Sequence, residues 1–375
     1  SVYLDRGVIS YNDSTGMQVH KPSADLSNYQ NVHVGDFVLN NQQAWRGSVG
    51  VSKYDGIISP AYFVYDMSEK CYPLYMNFLL RDGSMVQQYE TSSRGVGTIQ
   101  RNLYAMWFYD SLVALPPMEE QIAIATYLDV KCTEIDALIT DVQEQIDVLE
   151  QYKCSSITEA VTRGIREDFE VDESRVFYMG PINKRWKLSK IGYICTKLTH
   201  SFQPEDTALI CSNKGKVLVR DAGVTGIMVS EDNAMQGIRK GDIAIHGMDT
   251  WHGAIALSDY DGKITRVVHV CDSTEDKRFV VYWMQHLAYQ GVYKLISNGV
   301  RGNTSDFRSW DKVSDIYIPI PTRAEQIEIC DYLDGVCRRV EDVIETKKEQ
   351  ITVLEAYKKS LIYEYVTGKK EVPAQ

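Results

Sequence analysis

The sequence predicts an α+β fold: two globular domains of short strands and helices, each followed by one long helix. Three observations predict it. A long segment occurs twice, both copies carry a helical apolar period, and the residues ahead of each copy fall into short apolar runs closed by Gly and Asp. The repeat sets the organisation and is taken first. Leu115 to Gly164 reads LPPMEEQIAIATYLDVKCTEIDALITDVQEQIDVLEQYKCSSITEAVTRG. Ile320 to Lys369 reads IPTRAEQIEICDYLDGVCRRVEDVIETKKEQITVLEAYKKSLIYEYVTGK. At a constant offset of 205, from Gln121 to Gln326, 23 of 50 positions are identical without a gap.

Both copies read as helices. In the first, Leu128, Ile135, Val142 and Leu149 recur every seven residues, with Leu138, Ile139, Ile146 and Tyr152 on the neighbouring face. The second repeats this with Val340, Leu354 and Leu361, beside Val336, Val343, Tyr357, Ile344 and Ile351, while Lys347 interrupts the stripe. Pro116 and Pro321 precede the helices, and Gly164 and Gly368 lie near their ends, which are start and stop signals. At 1.5 Å per residue each helix spans about 65 to 70 Å, too long for one small domain to bury. The cheapest partner for either stripe is the other, and the expected seam comprises Leu128, Ile135, Leu138, Val142, Leu149, Val340, Val343, Leu354 and Leu361. An antiparallel, coiled-coil-like pair gives the chain an internal pseudo-twofold. Dimerisation between chains is the plainer alternative.

The upstream segments repeat more weakly. Gly35 to Phe63 and Gly241 to His269, at an offset of 206, share nine of 29 positions. The shared residues are the glycines and aspartates of turns, Trp45 with Trp251, and a few neighbours; the residues between them differ. GDFVLNN, GSVGVSKYDG and ISPAYFVYD predict strands, and a helix is expected from Tyr72 to Glu90. GDIAIHG, GAIALSDYDG, ITRVVHVCD and the helix-like RFVVYWMQHLAYQG follow in the same order. The expected boundaries are a domain over 1–115, a helix over 116–164, a domain over 165–319, a helix over 320–369 and a tail over 370–375. About sixty residues from Pro181 precede the second GD, but 34 precede the first, so the first domain is expected to be N-terminally incomplete.

Composition narrows the class. A chain of 375 residues with 44% hydrophobic and 24% charged residues is that of two or three globular domains, and no run approaches a membrane span. Eight cysteines are scattered without a CxxC pair or a zinc-type Cys/His spacing, and no signal leader opens the chain; reduced thiols in a cytoplasmic protein are expected. Cys330 and Cys337, seven apart on a helix, read as buried structural residues. The net charge of −11 opposes a chain that grips phosphates alone. DNA binding then requires local positive charge or a basic partner.

The proline–EQ openings (Pro116 or Pro117 to Gln121, and Pro321 to Gln326), the YLD after each, the QI-x-VLE centres and the VT-x-G or VTG endings carry a resemblance. They are similar to the two central conserved regions of specificity subunits of type I restriction-modification enzymes, over nearly the whole chain. That resemblance implies two target-recognition domains, each reading one half of a bipartite site in double-stranded DNA. It also implies that the helices fix the gap and dock two methyltransferase subunits, with restriction/translocase subunits in the full complex. No cofactor is expected in this chain, and no membrane. S-adenosylmethionine, ATP and Mg are expected on the partner subunits, which carry adenine methylation and cleavage.

Base readers are sought in loops that differ between the copies. The first loop offers Asn41, Gln42, Trp45 and Arg46, and its counterpart His246, Thr250, Trp251 and His252. Asn and Gln can pair with adenine and Arg with guanine, although both tryptophans also read as core anchors. A second cluster precedes each long helix: Arg94, Thr98, Gln100, Arg101 and Asn102, and then Arg301, Asn303, Thr304 and Arg308, with Asn298 beside them. Its glycines let backbone approach phosphate, and its arginines supply local positive charge. The alternative is a helix-dimerised DNA-processing enzyme, a metal-dependent nuclease built on Glu275 and Lys277 with Asp259 and Asp261 upstream. ExK is too common a pattern to carry that reading, and no Walker or methyltransferase motif is present, so no catalytic and no metal-binding residue is expected.

Overall fold

The computed structural model describes residues 1–4, 6–11, 25–95, 101–166, 169–220, 232–297 and 306–373. It is a mixed helix and strand structure dividing into two units, residues 1–144 with 347–375, and residues 145–346. Both divisions fall inside long helices, Met118–Arg163 of 46 residues and Arg323–Val366 of 44 residues.

In unit 1 the strand Phe37–Asn40 lies between Val49–Val51 and Tyr62–Tyr65 in one antiparallel sheet. Gln30–Val32 pairs with Gly56–Ile58, and Ser93–Arg94 with Asn102–Leu103. The expected helix from Tyr72 is two, Pro73–Arg81 and Gly83–Thr91. Asp82 breaks it with extended backbone, and its carboxylate accepts from Ser84 N to cap the second helix. The core joins Phe37, Leu39, Val49, Tyr75, Leu79, Met85 and Tyr89 to Ile124, Leu128 and Ile135 of the first long helix and Leu361, Tyr365 and Val366 of the second. The two helical segments run antiparallel here. Tyr127 meets Tyr365 at 4.8 Å between ring centroids, and Lys358 Nζ lies 2.6 Å from Asp136 Oδ2.

Unit 2 contains the same succession with additions. Ile243–His246 lies between Ile255–Leu257 and Val268–Ser273, and the last also pairs with Cys195–Lys197. A second sheet orders Lys216–Val219, Ala208–Ser212, Gly262–Thr265 and Met235–Ile238, with one parallel pair. Lys187–Lys190 pairs with Tyr317–Ile320, and the helix Lys277–Tyr289 buries Phe279, Trp283 and Leu287. Arg278 ties that helix to Asp331 and Asp334 of the second long helix at 2.8 and 2.7 Å. Lys153 and Glu341, 2.7 Å apart, join the antiparallel segments within this unit.

The buried stripes follow the expected period with two corrections. Leu128, Ile135, Val142, Val340 and Leu361 are buried, and Leu149 and Leu354 half-buried. Leu138 and Val343 are 51% and 44% exposed and lie off the packed face. A packed row alternates steps of three and four, so it passes through Ile139 and Ile344 instead. Lys347 is partly buried.

The paired EQ glutamines acquire a physical role. Gln121 is 1% exposed and Gln326 0%. Gln121 Oε1 accepts from Tyr72 N at 2.8 Å, while its Nε2 donates to Lys70 O and Pro116 O. Gln326 Oε1 accepts from Asp276 N at 2.9 Å, while its Nε2 donates to Pro321 O and Glu275 Oε2. Tyr72 and Asp276 are the N-cap residues of the helices that follow them. Each glutamine therefore clamps the start of a domain helix to the start of a long helix, and removing it strands buried backbone groups.

Candidate nucleic-acid interface

In both units the strand after the GD turn leads into one 3-10 turn, Ala44–Arg46 or Thr250–His252. Each closes on a glycine in the left-handed region, Gly47 at φ 95° and Gly253 at φ 77°. Glycine tolerates that conformation because it has no Cβ. This explains why the W-x-G pattern persists while its neighbours change.

In unit 1 the two expected clusters come together. Leu103 N donates to Asn41 O and Oδ1, both at 3.0 Å, which sets the Ser93–Arg94 and Asn102–Leu103 hairpin beside the turn. Trp45 is half-buried and donates from Nε1 to Gln42 O at 3.0 Å. The Arg46 and Arg101 guanidiniums lie 4.6 and 4.8 Å from its ring centroid. Arg101 also pairs with Glu90 at 3.0 Å. Arg94 lies 4.3 Å from the ring centroid of Trp107, which sits 5.3 Å from Tyr104. Gln42, Arg46, Arg94 and Asn102 are exposed. Three arginines held on aromatic faces gather positive charge that the chain average hides, that of Arg101 partly offset by Glu90, and cation–π contact orders them. Asn41 is a correction in part: its side-chain oxygen is already used by Leu103. Thr98 and Gln100 lie outside the described residues. Tyr104 and Trp107 were missed by the sequence reading; aromatics three apart just after an arginine-rich segment were the available signal.

In unit 2 the equivalent bond is Phe307 N to Gly247 O at 3.0 Å, which brings the exposed Arg308 beside the second turn. His252 is exposed and Trp251 half-buried, and Trp251 Nε1 has no hydrogen-bond partner among the described residues. Thr250 is a correction. It is 1% exposed, in the position of the equally buried Ala44, because the first residue of the turn faces the core. His246 Nδ1 accepts from Asp249 N at 3.1 Å, and burial lowers its pKa against the opposing pull of the Asp249 carboxylate. His269 is buried, with Nε2 2.7 Å from Phe307 O, and burial lowers its pKa as well. Arg301, Asn303, Thr304 and Asn298 lie outside the described residues.

Three of the four residues of the nuclease reading are engaged in the fold. Glu275 Oε2 accepts from Gln326, Lys277 pairs with Asp272 at 2.6 Å, and Asp261 Oδ1 accepts from Lys240 N. Among the described residues no group of three or more His, Cys, Asp or Glu is placed to hold a metal. Cys330 and Cys337 are buried, and all eight cysteines are unpaired. No helix among the described residues is long and apolar enough to cross a membrane.

These features define a mixed helix and strand protein with two arginine- and histidine-bearing turns on related strands. No protein-family model matches the chain. It is 23% identical over 372 residues to a Methanocaldococcus jannaschii protein named as the type I restriction enzyme MjaX specificity subunit, covering 93% of this chain and 81% of the relative. It is also 23% identical over 373 residues to the type I restriction enzyme MjaVIII specificity subunit of the same organism, covering 91% and 80%. Among solved structures, it shares a fold with a chain from work on complex assembly and conformational transition of the type I R-M system. The TM-score is 0.68, with 16% identity, over 92% of this chain and 84% of the other. The resemblance drawn from the repeated segments is borne out: along nearly its whole length the chain is similar to type I specificity subunits.

Proposed function

We propose that this chain is the DNA-specificity subunit of a type I restriction-modification complex. Residues 1–115 and 165–319 are target-recognition domains that each read one half of a bipartite double-stranded site. Residues 116–164 and 320–369 form the antiparallel helical spacer, with a pseudo-twofold between the halves. The observation that carries this reading is one strand–turn–strand frame built twice with different side chains displayed: Arg46, Arg94 and Arg101 on aromatic faces in one copy, His252 and Arg308 in the other. Two contacts about a helical turn apart multiply specificity, while the bases between them stay free to vary.

The chain recognises DNA in the cytoplasm without acting on it. Two methyltransferase subunits dock on the spacer and supply S-adenosylmethionine chemistry; restriction/translocase subunits supply ATP- and Mg-dependent work. A net charge of −11 fits an assembly in which those partners share the phosphate contacts.

The test is duplex binding by the complex reconstituted with its methyltransferase, using single substitutions in each half-site at two salt concentrations. Arg46→Ala with Arg101→Ala is expected to cost about 1 to 3 kcal/mol and to relax preference in one half only. Uniform weakening with a flatter salt dependence assigns these arginines to phosphates. No change in affinity, preference or salt slope removes this turn from the interface. Metal-dependent cleavage by the chain alone would replace the proposal with the nuclease reading.

A further inference from the structure

The segment that carries the second cluster is tied to the turn by a different side chain in each unit. The backbone frame is the same. Asn41 N donates to Ala61 O and Gly247 N to Val267 O, while Leu103 N donates to Asn41 O and Phe307 N to Gly247 O. Leu39 lies opposite Phe63 in one strand pair, and Ile245 lies opposite His269 in the other. Asn41 with Gly247, and Phe63 with His269, are therefore equivalent positions, each pair 206 apart.

In unit 1 the side chain of Asn41 adds the lock, its Oδ1 accepting from Leu103 N at 3.0 Å, and Phe63 has no polar atom to offer. Unit 2 has no room for that solution. A Cβ at Gly247 would lie 2.9 Å from Phe307 O and 3.0 Å from both Arg308 Cα and Val267 O, so a side chain there would push the Arg308 segment away. The lock comes instead from the neighbouring strand. His269 is 1% exposed, its ring centroid stands 5.6 Å from that of Trp310, and its Nε2 lies 2.7 Å from Phe307 O. A carbonyl only accepts, so Nε2 carries the proton and donates it. The buried Nδ1 has no partner among the described residues; a second ring proton there would be stranded, which holds the ring neutral. The next residue after the anchored carbonyl is Arg308, which is exposed.

We infer that His269 is a positioning residue for specificity: the hydrogen bond from its Nε2 to Phe307 O fixes the backbone from which Arg308 reads a base in the half-site of unit 2. The inference rests on the DNA-reading function proposed above. It puts a determinant of base preference behind the interface, on a side chain that touches no DNA. A buried neutral donor suits that task because water does not compete for its bond, so the bond persists when the exposed face exchanges solvent for DNA.

The experiment compares His269→Phe, which installs the residue of unit 1, with His269→Gln, whose amide can still donate to Phe307 O. Each full chain is reconstituted with its methyltransferase and bound to duplexes carrying single substitutions in either half-site. His269→Phe should lower discrimination at least about fivefold at the position that Arg308→Ala relaxes, and leave the other half-site unchanged. His269→Gln should retain most of the parent's preference. His269→Phe combined with Arg308→Ala should lose no more than Arg308→Ala alone, because the histidine acts through the arginine. In the free parent chain, with no substitution, ring nitrogen shifts should report the neutral tautomer protonated at Nε2. Preference that survives either His269→Phe or Arg308→Ala, additive losses, equal weakening of every duplex, or a ring protonated at Nδ1 overturns the inference while the function stands. A parent complex without sequence preference in either half-site overturns the function itself.

Discussion

The turns Ala44–Arg46 and Thr250–His252 have one backbone and two chemistries. Both carry a half-buried tryptophan, a core-facing first residue and a left-handed closing glycine. The first displays arginines stacked on aromatic rings; the second displays His252 and Arg308, with His246 half-buried and His269 buried behind them in the chain's strands. Residues that hold the turn are fixed by packing, and those it displays are free to change, so the fold and the side chains it presents can vary independently.

Core substitutions test that separation most severely. Leu128 and Leu333 occupy equivalent positions on the two long helices, and each is 0% exposed. An aspartate at either site loses the buried side chain and inserts a charge, costing about 4 kcal/mol or more. Leu128→Asp should abolish amide protection in Phe37–Asn40 and Pro73–Arg81, and Leu333→Asp in Ile243–His246 and Lys277–Tyr289, as read by hydrogen exchange. Loss spread evenly over both units would show that they do not fold independently. Leu138→Asp, on the exposed face, should stay within about 0.5 kcal/mol.

Acid should separate the units next. His286 is buried in unit 2 beside Thr158 Oγ1, 3.0 Å away, and burial lowers its pKa to about 4 from 6.5. A depressed folded pKa means that the unfolded chain binds the proton first as pH falls. The neutral ring therefore contributes fully above about pH 6.5, and its contribution is lost as pH falls toward 4, a term on the order of 3 kcal/mol. In unit 1 the described histidine, His33, is exposed. Denaturant melts at pH 7 and pH 5 should show a smaller acid loss in His286→Gln than in the parent; equal losses would exclude His286 as the source.

A more modest loss sharpens the likeness instead. Gln121→Ala and Gln326→Ala each strand buried groups at equivalent helix starts, and each should cost about 1 to 3 kcal/mol by equilibrium unfolding. A large cost at one site with none at the other would mean that the two clamps are not equivalent.

Much of this was legible without coordinates, for a reason visible in particular residues. The long helices follow from a period near 3.5 in apolar positions, a local property written along the chain, and the repeat shows which residues serve a common backbone, such as Gly47 with Gly253. The candidate site was legible only as a set of loops. That Thr250 faces the core, that the Asn41 oxygen is occupied by Leu103, and that Trp107 joins the arginines depend on residues far apart in sequence. The role of Gln121 was equally hidden, since its partners Lys70 and Tyr72 lie about fifty positions upstream.

The sequence by itself determined the mixture of helix and strand, the duplication and the two long helices, because periodicity and internal identity need no tertiary contact to be expressed. The tertiary structure alone decided which face of each helix is packed, since a drift of one residue moves Leu138 to solvent and brings Ile139 inward. It also decided which loop side chains remain free, because hydrogen bonds and burial are settled by whatever distant backbone closes over them.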